Sequence, residues 1–161
     1  MTSYISMKHQ LLNERLGTPP NAELLLSVLS VARDIDRACA DMLAPYGLSE
    51  SRLAAMLAIE QHPSITAAEL ADHLEVTRAT VTGLIDGIDR AGYVIRQTSG
   101  SDRRRSQLTL SEKGEALLND LMPVYKTWFK SLTSNVNAET RDATLGALGE
   151  LHDALEAGGR S

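Results

Sequence analysis

From Thr77 to Asp86 the chain holds a run of short polar and small residues whose spacing suits contact chemistry rather than catalysis. Thr77 stands where a helix N-cap belongs. At about 100° per residue, Ala79, Gly83, Asp86 and Arg90 then share one side of the helix, flanked by Thr80 and Thr82. Short side chains let a helix backbone come close to a grooved partner. Threonine hydroxyls can donate or accept at base edges, and their methyls can meet a thymine methyl. Arg78 and the free N–H groups of the first turn suit phosphate. Asp86 repels phosphate, so it belongs with a partner arginine or a cytosine edge. Gly83 and Gly87 each cost about 1 kcal/mol relative to alanine inside a helix, which asks for a close-contact reason.

A second group, Asp102, Arg103, Arg104 and Arg105, follows a loop of small residues, Thr98-Ser99-Gly100-Ser101. Arginine is favoured in narrow minor grooves, and Asp102 is placed to orient one of the guanidinium groups. Each group also has a plainer reading. The helix could be an ordinary amphipathic surface helix, and the arginines a solvated charge run. Their order favours nucleic acid, because a helix for the major groove followed by a basic loop serves both grooves of a duplex.

The elements that must position these groups can be read locally. Val81, Leu84, Ile85 and Ile88 form the inward face of the reading helix. Before it, Thr66-Ala67-Ala68-Glu69 matches a capping box, opening a helix expected to bury Leu70, Ala71 and Leu74. A short turn at Glu75-Val76 separates the two, and Gly92 is placed to end the second. Tyr93–Ile95 and Gln107–Leu110 read as two short strands around the basic loop. Upstream, Ser49 caps a helix with core positions Leu53, Met56, Leu57 and Ile59, stopped by Pro63. Further upstream an apolar stripe of Leu24, Val28, Val31, Ala32, Ile35, Cys39 and Met42 marks a long helix from about Asn21, ended by Pro45 and Gly47. Downstream, Ser111 caps a long helix to about Leu132, which Pro123 is expected to kink. Asn137 caps a last helix to about Leu155 with apolar Leu145, Leu148, Leu151 and Leu155.

Bulk properties fit this outline. At 161 residues with 43% hydrophobic side chains the chain can bury a core, and 4% aromatics point to an aliphatic, helical one. No stretch approaches the ~18 apolar residues of a membrane span, and the N-terminus has no secretory pattern. One cysteine suits a reducing cytoplasm. The net charge of −5 is unusual for a nucleic-acid binder, but residues 64–113 are neutral and Arg96–Arg105 holds four arginines against Asp102 alone. Positive charge is thus gathered at one tip.

Leu48-Ser49, Thr66-Ala-Ala-Glu-Leu-Ala71, Val76-Thr-Arg-Ala-Thr-Val-Thr82, Gly92-Tyr-Val94, Asp102-x-Arg104 and Leu110-Ser111-x-x-Gly114 together resemble the MarR family of bacterial transcription regulators. The resemblance spans about Asn21 to Leu155, and its most specific part is Asp-x-Arg with Leu-Ser-x-x-Gly downstream. It implies a homodimer with a winged helix-turn-helix in each subunit, bound to pseudo-palindromic double-stranded DNA. It implies that Asp102 and Arg104 are the wing-tip pair, with Arg104 in the minor groove. It also implies an effector, a small anionic aromatic held between the dimer block and the DNA-binding lobe, whose binding residues remain unknown. Members often carry arginine where this chain has Gly83 or Gly87, so operator sequence and affinity do not carry over.

The expected fold is therefore mainly α with a small β-wing, a winged helix-turn-helix plus N- and C-terminal helical dimerisation blocks. Residues 1–20 form an N-terminal arm, 21–48 the first dimerisation helix, 49–113 the DNA-binding lobe, and 114–161 the helices completing the dimerisation block. Pairing with a second copy would bury the apolar faces of the terminal helices and set two reading helices about 34 Å apart. Trp128 and Phe129 are assigned to dimer or domain packing rather than ligand stacking, and Cys39 to the buried stripe rather than redox sensing. His9, His62, His73 and His152 are scattered without ligand spacing, so no metal or cofactor is expected. No phosphate loop, nucleophile elbow or carboxylate pair suggests an enzyme. The expected function is a cytoplasmic bacterial regulator, nucleoid-associated when bound to DNA, repressing until a ligand relieves it. The alternative is a winged-helix module for protein interaction or dimerisation that binds no DNA.

Overall fold

The computed structural model describes residues 21–98 and 106–158, together with Met7, Leu11, Glu14, Arg15 and Gly17. The N-terminal arm expected at residues 1–20 thus lies almost wholly outside the described residues. Tertiary contacts divide the chain into two compact units, Met1–Glu115 and Ala116–Ser161.

The first unit begins with helix α1, Ala22–Leu43, followed by a 3₁₀ turn over Ala44–Tyr46 that contains Pro45. Gly47, with φ +66°, reverses the chain. Helix α2 runs Glu50–Gln61, and its N-cap Ser49 accepts from the Arg52 amide at 3.4 Å. Strand β1, Ile65–Thr66, leads into helix α3, Ala67–His73. Helix α4 runs Arg78–Arg90, strand β2 Val94–Thr98 and strand β3 Ser106–Leu110. Helix α5, Glu112–Thr133, crosses into the second unit and continues through Pro123. Helix α6, Ala138–Gly158, completes it, with Asn137 Oδ1 accepting from the Thr140 amide at 2.8 Å.

Two sequence expectations need correcting. Three strands form the sheet, in the order β1-β3-β2 and antiparallel throughout. The unexpected strand pairs Ile65 with Leu108 and Thr66 with Gln107. It is two residues long and doubles as the entry to α3, so its alternation is too short to read. The second correction concerns α1. Leu26, Ser30, Cys39 and Leu43 are its buried residues, while Leu24, Val31 and Ile35 of the expected stripe are exposed. The helix is apolar on several sides, and periodicity alone could not say which side its own chain covers.

The core of the first unit is aliphatic: Leu53, Ala55, Met56, Ile59, Ile65, Leu70, Ala71, Val81, Ile85, Ile88, Val94 and Leu108 are all buried. Leu57, Leu74 and Leu84, also expected there, are half-buried. Helix α4 packs on α2 and α3, and β3 on α2. In the second unit Leu118 and Leu121 are buried, and α6 has no buried residue.

Candidate nucleic-acid interface

Helix α3 begins with the full capping box. Thr66 Oγ1 accepts from the Glu69 amide, and Glu69 Oε2 accepts from the Thr66 amide at 2.8 Å and its hydroxyl at 2.7 Å. These bonds, the backbone one foremost, hold the Glu69 carboxyl below its usual pKa. The helix ends in a Schellman arrangement: the Glu75 amide donates to Asp72 O and the Val76 amide to Ala71 O, with Glu75 at φ +53°. The same pair of bonds closes α4, from Gly92 to Asp89 and from Tyr93 to Ile88, with Gly92 at φ +76°. Helix α3, the first of these turns and α4 make up the helix-turn-helix.

Helix α4 is anchored from below by Val81, Ile85 and Ile88. Its outward side carries Thr77, Arg78, Ala79, Thr80, Thr82 and Gly83, all exposed. Thr77 Oγ1 accepts from the Thr80 amide at 3.2 Å and also meets Thr80 Oγ1 at 2.9 Å. One proton therefore lies between those two hydroxyls, leaving a single O–H of the pair to donate elsewhere. Thr82 Oγ1 donates to Arg78 O at 2.9 Å. Its outward chemistry is then acceptor lone pairs and a methyl group, which suits an adenine or cytosine amino group or a thymine methyl. A side chain at Gly83 would meet nothing within 4 Å, so this glycine leaves the outward surface bare.

Gly87 has a different reason to be small. A Cβ there would come within 2.8 Å of Arg52 Nε, so the position makes room for a guanidinium of its own lobe, whose other end donates to Gly47 O. Asp86 had two roles open to it, and the partner arginine is present. Arg96 of β2 bonds Asp86 Oδ1 at 2.5 Å and, through Nε, Asp89 Oδ2 at 2.9 Å. One arginine thereby ties the strand leading to the basic loop onto the flank of the reading helix. Arg90 Nε donates to Asp86 O at 3.0 Å on the same flank.

The β2–β3 register ends at Thr98 opposite Ser106. Asp102, Arg103, Arg104 and Arg105, the predicted wing residues, lie between those strands and outside the described residues. The strands' other end is joined tightly to α5. Ser111 Oγ accepts from the Gly114 amide at 3.1 Å and donates to Gly92 O at 2.6 Å, and Lys113 Nζ donates to Ala91 O at 2.7 Å. Gly114 is required here, because a Cβ would fall 2.2 Å from Tyr93 O. Local sequence reading missed Arg52 and Arg96 as positioning groups. Arg96 counted only toward the local charge, since nothing in the sequence pairs it with aspartates ten and seven positions earlier.

A two-helix head with a polar outer face, backed by an antiparallel hairpin, is a winged helix-turn-helix. The MarR family model matches residues 46–105, from the turn before α2 through β2 and up to the start of β3. The HTH-type transcriptional repressor YetL of Bacillus subtilis is 29% identical over 135 residues, covering 83% of this chain and 81% of the relative. The HTH-type transcriptional regulator PapX of Escherichia coli is 26% identical over 136 residues, covering 83% and 82%. In fold the chain is similar to Staphylococcus aureus MarR in complex with salicylate and kanamycin, with a TM-score of 0.71 at 16% identity, covering 84% of this chain and 91% of that one. Over residues 46–105 the chain is thus similar to the MarR family, and over most of its length to these two named regulators.

Proposed function

We propose that this chain is a sequence-specific DNA-binding regulator acting as a homodimeric repressor of pseudo-palindromic operators, relieved by a small anionic aromatic ligand. The observation that carries the DNA reading is the outward side of α4. Thr77, Arg78, Ala79, Thr80, Thr82 and Gly83 are exposed there on a helix fixed by Val81, Ile85 and Ile88, with its first-turn N–H groups at the same end. That is the part of a helix-turn-helix that meets base edges. Asp86 belongs to the same surface as a support, through Arg96, rather than as a base reader. Asp102, Arg103, Arg104 and Arg105 complete the interface in this reading, with Arg104 entering the minor groove.

Dimerisation is supported by the apolar residues that the single chain leaves uncovered, among them Leu24, Leu29 and Ile35 on α1, and Phe129, Leu145 and Leu155 on α5 and α6. Two such faces on one chain suit an isologous pair. The ligand rests on the S. aureus relative that holds salicylate. No helix among the described residues is long and apolar enough to cross a membrane, and we place the protein in the cytoplasm.

The test is a gel shift on the DNA upstream of the chain's own coding region. Arg104→Ala is expected to lower affinity by about 1–3 kcal/mol with the helical content unchanged. An unchanged shift would instead favour the alternative, a winged-helix module for protein contact. A series of phenolic acids that never weakens the complex removes the ligand from the proposal while leaving the DNA reading intact.

A further inference from the structure

The four histidines are scattered in sequence, yet the fold brings two of them into contact. His62, the residue that ends α2, and His73, the last residue of α3, have ring centroids 4.6 Å apart with planes inclined at 56°. They border an open cleft of about 260 Å³ lined also by Pro63, Ser64, Ile65 and Glu69. We propose that His62 and His73 form a binding site for a divalent transition-metal ion of the zinc–nickel–copper class, a role separate from DNA recognition.

Three observations carry this. The first is spacing. Two imidazoles sharing one ion at about 2.0–2.1 Å per nitrogen and a near-tetrahedral angle hold their centroids roughly 5 Å apart. The observed separation is close to that, so side-chain rotation alone brings the rings into place. The second is tautomer. His73 Nδ1 lies 3.0 Å from Glu69 O. A carbonyl only accepts, so in the neutral ring Nδ1 carries the proton and Nε2 keeps its lone pair. A backbone carbonyl on one ring nitrogen is the usual support for a metal-binding imidazole. The third is rigidity. The His62 amide donates to Ala58 O, its carbonyl accepts from the Ile65 amide, and Ser64, two residues on, is tied through its amide to Leu108 O. His62 therefore stands on tied backbone and His73 on the last turn of α3, and both side chains are exposed, so an ion can reach them.

Imidazole pairs favour zinc, nickel and copper over calcium and magnesium, which prefer oxygen. Among the described residues no group of three or more histidine, cysteine or acidic side chains is gathered for a metal. Water therefore fills the remaining positions, and binding should be reversible. An ion here would fasten the end of α2 to the end of α3, the first helix of the reading head.

The experiment is calorimetric titration of the full, untagged chain with zinc chloride and separately with nickel chloride. Thermal melts with and without each ion accompany it. One ion per chain and a raised Tm are expected, because an ion that binds the folded state stabilises it. His62→Gln and His73→Gln should each abolish both effects, whereas His152→Gln on α6 should retain them. Circular dichroism checks that each variant is folded. In the unsubstituted chain, nickel should broaden the imidazole C–H resonances of His62 and His73 and spare those of His152. Saturable binding that survives both glutamine variants overturns the proposal, as does the absence of saturable binding by either ion.

Discussion

Within the first unit Met56, Ile59, Leu70, Val81, Ile88 and Leu108 are each at most 1% exposed, whereas in α6 nothing is buried and Leu145 is 60% exposed. The two regions have comparable apolar content but opposite use of it. The reading head closes its core with its own residues, through α2, α3, α4 and the sheet. The terminal helices keep apolar side chains on the outside, on α1 as well as on α5 and α6. A head that is complete in one chain can hold a fixed base-reading surface. Helices that are incomplete in one chain need something else to cover them, and in the proposed dimer a second copy would supply it symmetrically.

Charge placed on the uncovered faces should break the pairing with the largest effect, because a two-fold interface receives every substitution twice. Leu29→Glu with Leu145→Glu is expected to convert a sedimenting dimer into a single subunit. The circular dichroism of the monomer should keep its helical signal, since neither side chain is part of a core. A double variant that still sediments as a dimer would remove these two helices from the interface.

The reverse substitution sharpens the same contrast. Ile88→Ala removes a fully buried side chain beneath α4 and should cost about 2–5 kcal/mol in urea unfolding. Leu155→Ala, at 75% exposure, should change the stability of isolated subunits by no more than about 0.5 kcal/mol. Equal losses at the two positions would mean that the terminal helices are packed as tightly as the head.

Arg96 tests how the head is held rather than how it is filled. Its partners Asp86 and Asp89 are 49% and 43% exposed, so solvent screens the pairs and Arg96→Ala should cost at most about 1 kcal/mol of stability. Its larger consequence is expected in DNA affinity, because Asp86 and Asp89 would then lie unpaired beside the phosphates of the proposed complex. Charge neutralisation tests the electrostatic part of that effect: Asp86→Asn in the Arg96→Ala background should recover some of the lost binding. A double variant no better than the single one would leave positioning alone as the role of Arg96.

How far the sequence revealed this architecture depended on the range of each interaction. Ser49, Thr66 with Glu69, Thr77, Ser111 and Asn137 were all readable as helix starts, because a cap joins residues three apart. The inward face of α4 was readable for the same reason, since helical period decides it. Strand β1 was not, because its two residues are defined by Leu108 and Gln107 more than forty positions away. The Arg96 clamp, the Arg52–Gly87 contact and the His62–His73 pair depend on how elements pack, and no local pattern encodes them. The covered side of α1 was hidden differently. With Leu24, Leu25, Leu26, Val28 and Leu29 in near succession, several stripes were equally apolar, and the one facing the chain's own core included the polar Ser30.

The C-terminal ends of the two helices of the reading head offer the finest comparison. Both close with the same pair of backbone bonds, and both need a residue in the left-handed region after the last turn. At the end of α4 that residue is Gly92, which adopts φ +76° without steric cost. At the end of α3 it is Glu75, at φ +53°, where a Cβ crowds the following carbonyl by about 1–2 kcal/mol. Glu75→Gly should relieve part of that cost and, after the added backbone freedom of the unfolded chain, raise stability by about 0.5–1 kcal/mol. Gly92→Ala should lower it by a similar or larger amount. Thermal melts of the two variants therefore should move in opposite directions from the parent chain. If Glu75→Gly instead lowers Tm, the glutamate side chain contributes something at the turn that outweighs its backbone strain. The tight link between α3 and α4 would then depend on residue 75 itself and not only on the hydrogen bonds around it.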